Sequence, residues 1–103
     1  MTMANALRGE VSLVLGADTF CLRPSFAALV AAEAELGPLF ALVERAAGGG
    51  LTLGEMAALF WFCLDAPPAT LTRSALGERL VTAGLANVTP ALRALLAQVL
   101  AGR

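Results

Sequence analysis

The chain contains no histidine, no lysine and no tyrosine, and only two cysteines and one tryptophan in 103 residues. Without histidine there is no side chain poised for general acid–base work near neutral pH. Without lysine and tyrosine, Schiff-base and phenolic chemistry are excluded as well. Cys21 and Cys63 stand far apart within apolar segments, with no Cys-x-x-Cys and no nearby ligand set, so they read as two reduced, buried thiols. No disulfide, metal or cofactor is expected. Glu33 and Glu35 lie two positions apart, which on a helix turns them about 200° from each other, so they read as solvated side chains and not as a catalytic pair. The chain is therefore expected not to be an enzyme.

Charge is scarce too. Charged residues make up 15% of the chain and the net charge is −1, so there is no basic footprint for gripping phosphates. Nucleic-acid binding is not expected, although the last two helical stretches, separated by Gly84, resemble a helix-turn-helix in outline. The second of them offers Arg93 and Gln98 over an alanine-rich face, too little to read base edges, so a small DNA-binding regulator is the weakest alternative. Long apolar runs are also missing. The nine apolar residues from 56 to 64 fall short of the roughly 20 that span a bilayer, and Asp65 gives their flank the wrong sign for an anionic surface. No membrane contact and no signal sequence are expected.

What remains is 58% hydrophobic, with 22 alanines and 20 leucines, a composition that favours a helical core over disorder. The length suits one domain over residues 1–103. Residues 1–7 read as a flexible N-terminus and residues 10–22 as a β-hairpin, with Val11, Leu13 and Leu15 on one face, a Gly16-Ala17-Asp18 turn, and a second strand beginning at Thr19. Such a hairpin is marginal alone and must lie on helices or pair with another chain.

The helical part, residues 25–101, carries five sets of start and stop signals. Ser25 caps a helix over 26–36, with Phe26, Leu29, Val30 and Leu36 expected inward. Gly37-Pro38 ends it and places a proline at the first position of a helix over 39–47. Gly48 to Gly50 form a turn that lacks the lysine of a phosphate-binding loop. Thr52 and Glu55 form a capping box that opens a helix over 53–64, with Leu53 and Met56 on its inner face. After Pro67-Pro68, Thr72 caps a helix to about 83 whose apolar positions are Leu76, Leu80 and Val81. Thr89-Pro90 reads as the start of the last helix, to 101, with a stripe of Leu92, Leu95, Leu96, Val99 and Leu100. The fold class is mainly α (α+β): an N-terminal β-hairpin followed by about five short helices around one core.

Phe60, Trp61 and Phe62 are consecutive, so they fan over roughly 200° of the third helix and cannot share one face. A helix that is apolar nearly all round belongs in the centre of a domain, with Phe60 buried and Trp61 or Phe62 left to contact the core or a partner. The candidate partner-binding residues are the hairpin's Val11, Leu13, Leu15 and Phe20, together with Trp61 and Phe62.

The run RGEVSLVLGADTFCLRPSFAALVAAEAELGPL resembles the opening of the small tail assembly proteins of gene transfer agents and related prophages of alphaproteobacteria. The residues that carry the likeness are Arg8 to Val11, Phe20, Leu22 to Phe26, Ala28-Leu29, Glu33 and Leu36-Gly37, followed by the step from Gly50 to Leu53. It covers roughly residues 8 to 65. The resemblance implies a non-enzymatic chaperone of tail morphogenesis in the bacterial cytoplasm. Its partners would be the tail tube protein and/or the tape-measure protein, and a homo-oligomer is compatible with it. A small helical adaptor or oligomerising protein unrelated to phage is the alternative.

Overall fold

At the hairpin turn Gly16 takes φ 64 while Ala17 keeps a negative φ, the sign pattern of a type II′ connection, which matches the twist of the strands on either side. In the computed structural model, which describes residues 9–101, the turn joins β1 (Val11–Leu15) to β2 (Asp18–Leu22). The antiparallel register sets Val11 opposite Leu22, Leu13 opposite Phe20 and Leu15 opposite Asp18. Because side chains alternate across a strand, Val11, Leu13 and Leu15 are buried while Ser12 and Val14 face out. The segment expected to be flexible, residues 1–7, lies outside the described residues.

Five helices follow: α1 (Phe26–Leu36), α2 (Leu39–Ala47), α3 (Leu53–Cys63), α4 (Arg73–Ala83) and α5 (Leu85–Ala101). The expected architecture of a hairpin and five helices is present. Its local signals act as read. Ser25 Oγ accepts from the Ala28 amide at 3.2 Å and Thr72 Oγ1 from the Ala75 amide at 3.1 Å. The capping box closes with Thr52 Oγ1 accepting from the Glu55 amide at 3.1 Å and Glu55 Oε1 accepting from the Thr52 amide at 3.0 Å.

Helix α3 runs through the centre, between α1 and α4. Met56, Ala58, Leu59, Phe60 and Cys63 are buried along it, so its aromatic run supplies the core with Phe60. Filling that site contributes several kcal/mol, since removing a buried phenyl group typically costs about 3–5 kcal/mol. The inner face of the hairpin covers the core from the other side, against α5 and α4. A short extension ties the end of α3 to β2. Leu22 and Leu64 form an isolated antiparallel bridge, flanked by Arg23 N–H to the Cys63 carbonyl at 2.7 Å and Asp65 N–H to the Cys21 carbonyl at 2.8 Å.

Four expectations from the sequence need correcting. Phe26 and Val30 are exposed, Phe26 by 85%. Helix α1 docks on α3 through Ala32, which is fully buried, and the half-buried Ala28 and Leu36, and this small-residue face lies opposite Phe26 and Val30. Leu53 and Val81 are exposed likewise, because they flank the faces that α3 and α4 turn to each other. Pro38 is the N-cap of α2 and not its first helical residue. Having no side-chain donor or acceptor, it leaves the cap to Glu33, whose Oε2 accepts from the Leu39 amide at 3.0 Å across a 77° bend. Glu33 is thus a cap and not merely solvated.

The fourth correction concerns α5, which starts at Leu85 and contains Pro90. Gly84, at φ 95, ends α4 by donating to the Leu80 and Val81 carbonyls, and its own carbonyl accepts from Asn87 and Val88. One glycine therefore closes one helix and opens the next at 117°. Pro90 brings no amide, and the neighbouring Thr89 turns its hydroxyl back to the Leu85 carbonyl at 2.7 Å instead of capping a new helix.

Candidate functional site

The six residues expected to meet a partner do not form an exposed surface. Val11, Leu13, Leu15 and Phe20 come together, but on the covered face of the hairpin, as part of the core. Trp61 and Phe62 are half-buried and pack against that core. The Arg73 guanidinium lies 5.5 Å from the centre of the Phe62 ring and is held there by Glu35, with Arg73 Nη1 to Glu35 Oε1 at 2.7 Å. Glu35 is consequently an anchor for α4 on α1, and the paired guanidinium pulls its carboxyl below the ordinary range.

The apolar surface that is open lies elsewhere. Phe40, on α2, is 77% exposed, and beside it runs a groove between α2 and α5 floored by Leu51 and Met56. The groove holds about 660 Å³. A smaller hollow of about 180 Å³, lined by Leu29, Leu39 and Phe40, continues it, and Val43 and Leu100 line both.

The wall supplied by α5 explains the groove. Leu85, Thr89, Leu92, Leu96 and Leu100 all line it, at steps of four, three, four and four residues. That spacing keeps them on one face of a helix. Val88 and Leu95, on the adjoining face roughly 90° round the helix, enter the core. Helix α5 is therefore apolar over two adjoining faces: Val88 and Leu95 are buried, Leu92 and Leu96 are half-buried against the core, and Leu85 and Leu100 at the two ends of the stripe are exposed.

Among the described residues, charge in the lining is confined to Arg93. It has no ion-pair partner among the described residues. Arg45 at the end of α2 is, by contrast, matched by Glu55 at 2.5 Å, and that bond together with the Thr52 amide holds the Glu55 carboxyl at about 2.

The fold also assembles a polar cluster that the linear sequence conceals. The ligand atoms of Glu10, Cys21 and Asp65 lie within 4.8 Å of one another, brought together by the bridge between Leu22 and Leu64. Glu10 is buried, and both it and Cys21 have interactions within the protein. The second thiol, Cys63, is pushed up to about 12 by burial, which keeps it a neutral packing group.

Comparison with known families decides the setting. The model of the family described as phage tail tube protein, GTA-gp10, matches residues 8–102. The chain belongs to that family. The match takes in α4 and α5, beyond the residues 8 to 65 on which the resemblance in the sequence rested, so the groove lies within the family's matched region. It fixes a role connected with phage or gene transfer agent tails and sets aside an adaptor unrelated to phage. No match was found among curated proteins or among solved structures. No helix among the described residues is long and apolar enough by itself to cross a membrane.

Proposed function

We propose that the chain is a tail assembly chaperone that works by protein–protein contact, holding the tail tube protein and/or the tape-measure protein in the bacterial cytoplasm before they polymerise. The observation that carries this reading is the open apolar groove between α2 and α5, next to the exposed Phe40, in a member of a phage tail family. An apolar surface of this kind on a small domain suits transient capture of another chain. No catalytic step is part of the role, and nucleic acid is not a partner in it.

A second reading is favoured by the family description itself, which names a tail tube protein. On that reading the same surface joins copies of the chain within the tube. Two measurements separate them. Pull-down of the tagged chain from cells expressing the whole tail gene cluster should recover the tape-measure or tube protein. Protein composition of purified particles should show this chain absent or in trace amounts. Recovery of neither partner defeats the chaperone reading, and stoichiometric presence in the mature tail establishes the tube reading in its place.

A further inference from the structure

We infer that the groove along α5 seats an amphipathic helix from a different protein, with its apolar seam on the Leu85, Thr89, Leu92 and Leu96 stripe and a carboxylate beside Arg93. The inference depends on the tail assembly reading for the source of that helix, not for the site.

Three features of the groove select the occupant. The first is length: from Leu85 to Leu100 the wall runs about 22 Å, at roughly 1.5 Å per helical residue, which is about four turns and far longer than a small ligand. The second is spacing. From Leu85 to Leu96 the steps of four, three and four residues follow the a and d pattern by which two helices interlock side by side, and Val88 and Leu95, which enter the core, lie beside that seam and not in it. With Thr89 and Leu92 in the seam, Arg93 occupies the flanking position whose charge chooses the partner. The third is charge. Among the described residues no carboxylate lines the groove and Arg93 is unpaired, so the occupant supplies the acid.

The same charge argument disfavours self-occupation. Helix α5 contains no Asp or Glu, so laying the α5 of a second copy into the groove leaves Arg93 unmatched. In the antiparallel arrangement it sets Arg93 close to Arg93, because that residue sits near the middle of the stripe. Residues 1–8 also lack a carboxylate.

The test uses the full chain and two fluorescein-labelled synthetic peptides of about four helical turns. One has leucines at alternating four- and three-residue steps with glutamates flanking that seam. Its twin has lysine at each glutamate. Anisotropy titration should show the acidic peptide binding more tightly, on the order of fivefold. Arg93→Glu should reverse the order, and Ala97→Glu, at an exposed position of the lining, should abolish binding of the acidic peptide while circular dichroism shows an intact fold. Binding of neither peptide, equal binding of both to the parent and to Arg93→Glu, or binding unaffected by Ala97→Glu overturns the inference. So does sedimentation showing a dimer of the parent that Ala97→Glu disperses, since the occupant is then a second copy. If the peptides fail while the pull-down recovers a tail protein, the groove is wrong and the role stands. If the peptides bind while the pull-down recovers nothing, the groove stands and the role falls.

Discussion

Arg79 of α4 and Asp18 of β2 meet at 2.5 Å, and the same guanidinium nitrogen donates to the Leu15 carbonyl at 3.1 Å. The guanidinium also lies 5.1 Å from the centre of the Phe20 ring. One side chain thus pins both sides of the hairpin turn to a helix distant in sequence. Arg79→Ala is expected to cost about 1–2 kcal/mol, because it removes an ion pair, a backbone contact and a cation–π contact together. Asp18→Asn leaves the last two in place and should cost about 0.5 kcal/mol or less, as an exposed pair does. Urea unfolding of both variants measures the difference, and equal losses would show that the ring and the carbonyl contribute nothing.

Gly84→Ala should destabilise by about 1–2 kcal/mol, since its φ of 95 lies in the region that L side chains avoid and the new Cβ would stand 3.3 Å from Asn87 Nδ2. Gly77, inside α4 with an ordinary φ and open space around its Cβ position, gives the opposite result. Gly77→Ala is expected to stabilise by about 0.5–1 kcal/mol. Thermal melts of the pair should move in opposite directions.

Phe60→Ala and Phe26→Ala test which aromatic residues hold the fold. Phe60 is fully buried, and its truncation should cost about 3–5 kcal/mol. Phe26 is exposed, so its loss should stay within about 0.5 kcal/mol. A large loss for Phe26→Ala in denaturant titration would contradict the docking of α1 through Ala32.

Acid should unpick the joint between α2 and α3. The Glu55 carboxyl is held at about 2 against an ordinary 4.5, first by Arg45 and then by the Thr52 amide. A depressed folded value means that the unfolded chain takes up the proton first as pH falls. The stabilisation is therefore present above about 4.5 and is lost as pH drops toward about 2. Glu35, lowered by Arg73, acts in the same direction. Comparing Glu55→Gln with the parent across that range should show their stability difference shrinking as pH falls, and a difference constant with pH would refute the assignment.

Gln98 on α5 has a buried Oε1 with no hydrogen-bond partner among the described residues. Replacing it by methionine, close in shape and without the stranded acceptor, should raise stability by about 1 kcal/mol. Calorimetry should then register a melting point higher by about 4–8 °C. A lower melting point would show that the amide is satisfied in solution.

The sequence by itself determined the elements and most of their ends. Ser25, Thr52 with Glu55, Thr72, Gly37 and the turn glycine Gly16 act within three or four residues of chain, so their signals stand in the order in which they are read, although the turn is shorter than the expected Gly16-Ala17-Asp18 because Asp18 pairs with Leu15 in β2. The burial of Phe60 was legible for a related reason, because a helix apolar nearly all round has no face to give to water. Where a local signal competed with a longer context it misled: Thr89-Pro90 has the form of a helix start, yet Gly84 had already opened α5.

Only the tertiary structure decided which face of each element was covered. Phe26 is the larger apolar residue of α1, but α3 approaches closely enough only over the small side chains of Ala28 and Ala32, so the phenyl ring stays outside. The hairpin's Val11, Leu13, Leu15 and Phe20 are equally apolar in a free or a covered sheet, and it is the arrival of α5 and α4 that buries them. The open groove was beyond reach for the same reason. Its walls come from α2, α5 and the start of α3, and burial is a property of the surfaces that meet, not of the chain that carries them.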